Sequence, residues 1–295
     1  MTQTIQLRGS GDIRVIGPRA SGKTTFMAAL VHWPNSDPDN SPIQSITPTD
    51  TADTQRLQGM ATDILENCQA LPPTRLEEII LYNLTIDLKP NFTLNPIAAV
   101  TRKNVRMSIA ATDYPGELFK LLCENPKDHD LQLYLDDCQY ATGLMIIIDG
   151  TSRNDQFCSD ALNALKDELT LRFEHNDIDT RRYRIALVFS KAEQTIPLNY
   201  YRQNKIQEFT KLIYRETRRT LDIWKREWGC SVTCFFLSAF GTMGNPPQPN
   251  CEVISRGKDG TFAVIKRPEF WQPFGLIAPI YWLYTGQGNI QLRNI

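Results

Sequence analysis

"GPRASGKTT", Gly17 to Thr25, decides the fold. It fits G-x-x-x-x-G-K-[ST], the spacing of a phosphate-binding loop. The apolar run "DIRVI" stands directly before it, and "KTTFMAALVHW" comes next with helical periodicity. Strand, glycine loop and helix in that order are the context such a loop needs. Gly17 and Gly22 let the backbone turn its N–H groups toward a phosphate. The helix N-terminus after the loop also favours an anion. The expected contacts are Gly17, Pro18, Arg19, Ala20, Ser21, Gly22, Lys23, Thr24 and Thr25. Lys23 has the reach for the β- and γ-phosphates, and the Thr24 hydroxyl is placed to ligate Mg²⁺. Arg19 reads as a solvated side chain, with a phosphate contact as the alternative.

Composition sets the outer bounds. A chain of 295 residues can bury a full core as one large domain or two small ones. The formal net charge of −1 offers no global field to draw nucleic acid or a membrane surface. The start "MTQTIQLRGSGDIRV" lacks the apolar stretch of a signal peptide. No apolar run reaches membrane-spanning length, and "GLMIII" is only strand-sized. A cytoplasmic protein without membrane insertion is therefore expected. The 7 cysteines are scattered; only Cys230 and Cys234 lie close, and no second pair completes a zinc pattern. They read as reduced thiols filling the core. His32, His129 and His175 are too dispersed for a triad or a metal site.

Outward from the loop, the polar stretch "PNSDPDNSPIQSITPTD" predicts a loop. "TADTQRLQGMATDILENCQA" predicts a helix capped by Thr51 or Asp53. "EEIILYNLTIDL" and "NVRMSIAATD" predict two strands that can pair antiparallel. "GLMIIID", "YRIALVFS" and "VTCFFLSAF" are continuous apolar runs, as in strands buried on both faces. Helices are expected near 154–175 and, as one long amphipathic element, near 199–227. The latter is rich in Lys and Arg, but interspersed Glu and Asp make it a solvated helix with internal ion pairs. "EVISRGKDGTFAVIK" predicts a hairpin, and "FWQPFGLIAPIYWLY" a last helix on the core. The expectation is one α/β domain over 1–295, a three-layer P-loop NTPase fold. Its sheet is mostly parallel with one antiparallel edge strand and helices on both faces. An insertion is expected near 34–78 and a hairpin–helix extension near 250–295.

Three further motifs stand at strand ends. In "IAATDYPGE", Asp113 closes an apolar strand, where a carboxylate can hold Mg²⁺ directly or through water. Gly116 has no side chain to block its N–H from a γ-phosphate. "VFSKAEQ" carries Ser190, Lys191 and Glu193, and "FLSAF" carries Ser238 and Ala239. Phosphate loop, D-x-x-G, x-K-x-acid and S-A, in this order, resemble GTPases of the Ras-like, translation-factor-related class. The resemblance covers about Ile13 to Ala239. It implies that the Lys191 stem flanks the base, that Glu193 accepts from the guanine edge, and that the Ala239 N–H meets the guanine carbonyl. It further implies Mg²⁺ as cofactor and GTP or GDP as ligand. The chain departs from the family at Ser190, where Asn or Thr is preferred, and at Glu193, where Asp is preferred.

"DYPGE", preceded by a helix, "LPPT" and two strands, resembles more closely the bacterial double-GTPase-type families associated with conflict and stress-response systems. That resemblance makes Thr74 in "ALPPTRLEE" the mobile threonine that closes on Mg²⁺ and the γ-phosphate, with Thr47, Thr49 and Thr51 as rivals. Glu117 falls where many GTPases carry a Gln that orients the attacking water. A carboxylate accepts from water but cannot donate as an amide does, so slow hydrolysis is expected. Lys23, Thr74, Gly116 and Glu117 form the expected catalytic set. A slow enzyme suits a switch whose triphosphate form meets a protein effector or a second copy of itself. An ATPase or kinase on the same scaffold, and a non-hydrolysing scaffold, remain the alternatives.

Overall fold

The computed structural model describes residues 4–6, 11–36, 43–48, 52–65, 67, 80–89, 104–113, 115–255, 261–289 and 292. Its main sheet has 8 strands. These are β1 (Thr4–Gln6), β2 (Asp12–Ile16), β3 (Ile43–Pro48), β4 (Ile80–Leu88), β5 (Asn104–Asp113), β6 (Gly143–Asp149), β7 (Arg184–Ser190) and β8 (Ser231–Phe236). The order is β3-β4-β5-β2-β6-β7-β8, with β1 beside the start of β5. From β5 to β8 every pairing is parallel. The expected antiparallel strand is β4, which runs against both β5 and β3.

The helices are α1 (Lys23–Ser36), α2 (Ala52–Leu65), α3 (Gly116–Glu124), α4 (His129–Cys138), α5 (Asp155–His175), α6 (Thr195–Arg202), α7 (Ile206–Ile213), α8 (Arg215–Trp228) and α9 (Ala278–Thr285). Strand β6 shows how they divide. Met145 and Ile147 join the core under α1, α2 and α9, while Leu144, Ile146 and Ile148 join the core under α3 to α8. Alternate residues of a strand point to opposite faces, so a run apolar at every position requires cover on both. The result is the three-layer P-loop α/β fold.

Three local expectations change. Residues 43–48 are not loop but the edge strand β3, in which Ile43 and Ile46 are buried. The segment 199–227 is not one helix but α6, α7 and α8. Asn204 takes a left-handed backbone with φ 54°, and Tyr214 leaves the helix with φ −120° and ψ 52°. Tertiary bonds override the amphipathic periodicity there. The Tyr214 hydroxyl lies 2.5 Å from the Asp149 carbonyl and 2.9 Å from that of Ser152. The Asp155 carboxylate accepts from the N–H groups of Glu216 and Thr217 at 2.8 and 2.9 Å, which starts α8 afresh. The tail is helical only over α9; before it, Phe274 bridges Ser238 and the Trp271 indole N–H donates to the Ala239 carbonyl at 2.8 Å. The hairpin forms as β11 (Cys251–Ser255) with β12 (Thr261–Ile265), after the short pair β9 (Thr242–Met243) and β10 (Gln248–Pro249). Its "KDG" turn lies outside the described residues. So do Thr49, Thr51 and Thr74.

Candidate nucleotide site

Strand direction gathers the motifs. Because β2, β5, β6, β7 and β8 are parallel, their C-terminal ends share one edge of the sheet. In register, Val15 lies beside Asp113, Ile16 beside Ile146, Asp149 beside Ser190 and Phe189 beside Phe236. This is the edge where open α/β sheets bind ligands.

The loop leaves β2 at Gly17, whose φ is +152°. A Cβ there would stand 2.0 Å from the Ile147 carbonyl oxygen, so only glycine lets the loop pass so close to β6. Ala20 and Gly22 hold left-handed backbone, with φ 61° and 86°. Alternating right- and left-handed residues turn successive N–H groups into one concavity suited to an anion. A left-handed alanine is strained, and such strain concentrates at functional sites. Lys23 is buried and folds back over the loop. Its Nζ donates to the carbonyls of Gly17 at 3.0 Å and Pro18 at 3.2 Å. Thr24 and Thr25, half-buried, open α1. Ser21 is buried, and no partner is found for its hydroxyl.

The second motif presses on the loop. A Cβ on Gly116 would lie 2.4 Å from the Arg19 nitrogen and 2.8 Å from the Pro18 carbonyl carbon. Glycine is required by that contact, not by φ. Glu117, the next residue of α3, lies with Oε1 3.5 Å from Arg19 Nη1. Its Oε2 is enclosed without a hydrogen-bond partner. Asp113 ends β5 at the same edge.

The third motif is tied to the loop from the other side. The buried Ser190 hydroxyl donates to the Ser21 carbonyl at 2.6 Å, with the Ile148 carbonyl at 3.2 Å. A serine is long enough for this tie. Lys191 adopts φ 55° and pairs through Nζ with Asp149, whose other oxygen accepts from the N–H and hydroxyl of Thr151 at 2.9 and 2.7 Å. Nothing in the sequence marks Asp149, because "IDGT" reads as an ordinary strand exit.

Glu193 is 2% exposed. Its Oε1 accepts from the Cys251 thiol at 3.6 Å, and Gln194 donates to the same sulfur at 3.5 Å. No partner is found for Oε2. Burial pushes the Glu193 carboxyl up, and contacts with Ser238 and Cys251 offset only part of that. Burial and the neighbouring Glu193 push the Cys251 thiol up to about 12. The fourth motif closes this corner. The Ser238 hydroxyl accepts from the Gly241 N–H at 2.8 Å, and the Ala239 carbonyl is held by Trp271. The C-terminal extension thus walls the place where the resemblance puts the base, and nothing in "NCEVI" signals it. Among the described residues no cluster of His, Cys, Asp and Glu could hold a metal by itself. None of the described helices is long and apolar enough to cross a membrane.

No protein-family model and no curated protein sequence matches the chain. Among solved structures it is similar to the bacterial selenocysteine-specific elongation factor EF-Sec, at 14% identity and a TM-score of 0.33 over 80% of this chain. The chain spans 26% of that factor's length. It is also similar to the signal recognition particle receptor SRb-GTP/SRX complex from Chaetomium thermophilum, at 12% identity and a TM-score of 0.35, over 82% of this chain and 94% of that one. The fold assignment rests on the strand order and loop geometry described above.

Proposed function

We propose that this chain binds GTP with Mg²⁺ and hydrolyses it slowly, as a molecular switch. One observation carries the reading: two separate motifs touch one strained loop, and the loop's own lysine folds over it. Gly116 packs on Arg19, Ser190 bonds Ser21, and Lys23 folds over Gly17 and Pro18. On nucleotide entry Lys23 would exchange those carbonyls for phosphate oxygens, a stronger, charge-assisted contact. Thr24 and Asp113 would hold Mg²⁺, with Thr74 as the further candidate; the hydroxyl and the carboxylate are hard oxygen donors suited to that ion. Bound there, the ion would offset charge between the β- and γ-phosphates. Water would attack the γ-phosphorus as the bond to the β–γ bridging oxygen breaks, giving GDP and phosphate. Glu117 accepts a hydrogen bond from that water without donating to the transition state, which makes turnover slow. Lys191, Glu193 and Ala239 are the proposed base contacts. The long-lived triphosphate form would engage a protein effector or a second copy of the chain.

The burial of Glu193 favours a second reading, a nucleotide switch indifferent to the base. Calorimetry with Mg·GTP, GDP and Mg·ATP separates the two. Lys23→Ala should weaken triphosphate binding by at least about 2 kcal/mol. Unchanged affinity in that variant would remove the basis for the site.

A further inference from the structure

Resting on the nucleotide-site reading, we propose that Arg19 is a γ-phosphate ligand supplied from within the loop, held ready by Glu117 and released to a triphosphate. Gly116 brings the first turn of α3 so close to the Arg19 backbone that a Cβ on the glycine would stand 2.5 Å from the Arg19 Cα. That contact places the Arg19 guanidinium beside Glu117, at the loop's Gly116 end. The ion pair is a loose one. Its 3.5 Å separation exceeds the range of a charge-assisted hydrogen bond, and the arginine side chain remains 45% exposed. Glu117 gains little more from its surroundings, because its Oε2 is enclosed without a partner.

A terminal phosphate is the better partner for Arg19. It carries more charge than a carboxylate and offers oxygens that match the guanidinium fork. Transfer of Arg19 leaves Glu117 half-buried, uncompensated and close to a second anion. The carboxylate released by Arg19 is then the acceptor for the attacking water, and the start of α3 can move with it. Pro115 supplies no side-chain cap to that helix, whereas Leu118, Phe119 and Leu122 anchor the rest of α3 in the core. A diphosphate has no γ-group, so it leaves the pair closed. The pair therefore distinguishes triphosphate from diphosphate, and Arg19 neutralises charge that develops on the transferred group. An arginine in this role accelerates phosphoryl transfer strongly in proteins that have one.

The test uses the full chain with a non-hydrolysable GTP analogue and with GDP, both with Mg²⁺, in calorimetry. Arg19→Gln should weaken the analogue by about tenfold and GDP by less than about twofold. Glu117→Gln should tighten the analogue by about tenfold with GDP again nearly unchanged. Combining the two should return affinity to near that of Arg19→Gln alone, since neighbouring groups that act on each other are not additive. Arg19→Lys, which keeps the charge but loses the fork, should fall between. Single-turnover hydrolysis should slow by about a hundredfold in Arg19→Gln. Equal effects on analogue and GDP, or additive variants, would make the contact a surface ion pair and overturn the proposal with nucleotide binding intact. Failure of the unaltered chain to bind either nucleotide would overturn the site reading, and this one with it.

Discussion

Glu193 brings two demands into conflict at one carboxyl. Guanine presents N–H donors, so an ionised acceptor favours it over adenine, yet burial under Cys251 disfavours ionisation. The raised folded-state value sets the sign of two effects. As pH rises from the ordinary range of a glutamate, the unfolded chain gives up the proton first, so stability falls until the folded value is reached. Over the same interval the ionised fraction grows, and GTP should gain on ATP. Glu193→Gln should flatten both trends. Thermal melts and GTP–ATP competition across the acidic to neutral range read them together. A preference for GTP that is constant with pH in both proteins would assign Glu193 to structure and the reading of the base to other groups. Lys23 and Glu117 differ from Glu193 in that their places at the site follow from motif spacing alone.

At the scale of elements, the break before α8 is held by contacts made far along the chain. Asp155 opens α5 and also caps α8, taking the N–H groups of Glu216 and Thr217. Removing it in Asp155→Ala should cost about 1–2 kcal/mol. In urea the midpoint should fall with an unchanged slope, because the surface exposed on unfolding stays the same. An unmoved midpoint would mean that Tyr214 alone sets the break. The same pair explains what is and is not legible in the sequence. Strands β6 and β7, the loop and α1 can be read because each carries its own signal, an unbroken apolar run or a fixed glycine spacing. The division of 199–227 into three helices cannot, since periodicity is local and the Tyr214 and Asp155 bonds are not. Strand β3 is hidden by Pro42 before it and Pro48 at its end: "IQSITP" is short, and β4 supplies the pairing that makes it a strand. The site divides in the same way. Its loop residues are legible, but the contact of Cys251 with Glu193 joins positions 58 apart in sequence and has no motif to mark it.

Across the whole molecule, the edge that carries the candidate nucleotide site and the β3–β4 edge are joined by one strand. β5 ends at Asp113 beside the loop, and along its length it is laddered to β4, which is in turn laddered to β3. If the proposed triphosphate binding shifts Asp113 and Gly116, the shift would be taken up by β5 or passed to β4, whose Leu81 is 45% exposed. On the opposite side β6, β7 and β8 are locked between two cores, so the yielding side is that of β3 and β4. A partner or second copy that distinguishes the two nucleotide states should read this side. Hydrogen exchange over residues 34–120, read against β6 and β7, with GDP and with the non-hydrolysable GTP analogue, tests it. Greater protection in the analogue state is expected around Gly116 and along β4, with little change in β6 and β7, as for a segment ordered by a γ-phosphate. Gly116→Ala, whose methyl would collide with the Arg19 backbone, should abolish that difference at concentrations where both nucleotides still bind. Identical exchange in the two states of the unaltered chain, together with fast unassisted turnover, would exclude a switch and leave an enzyme that only consumes its nucleotide.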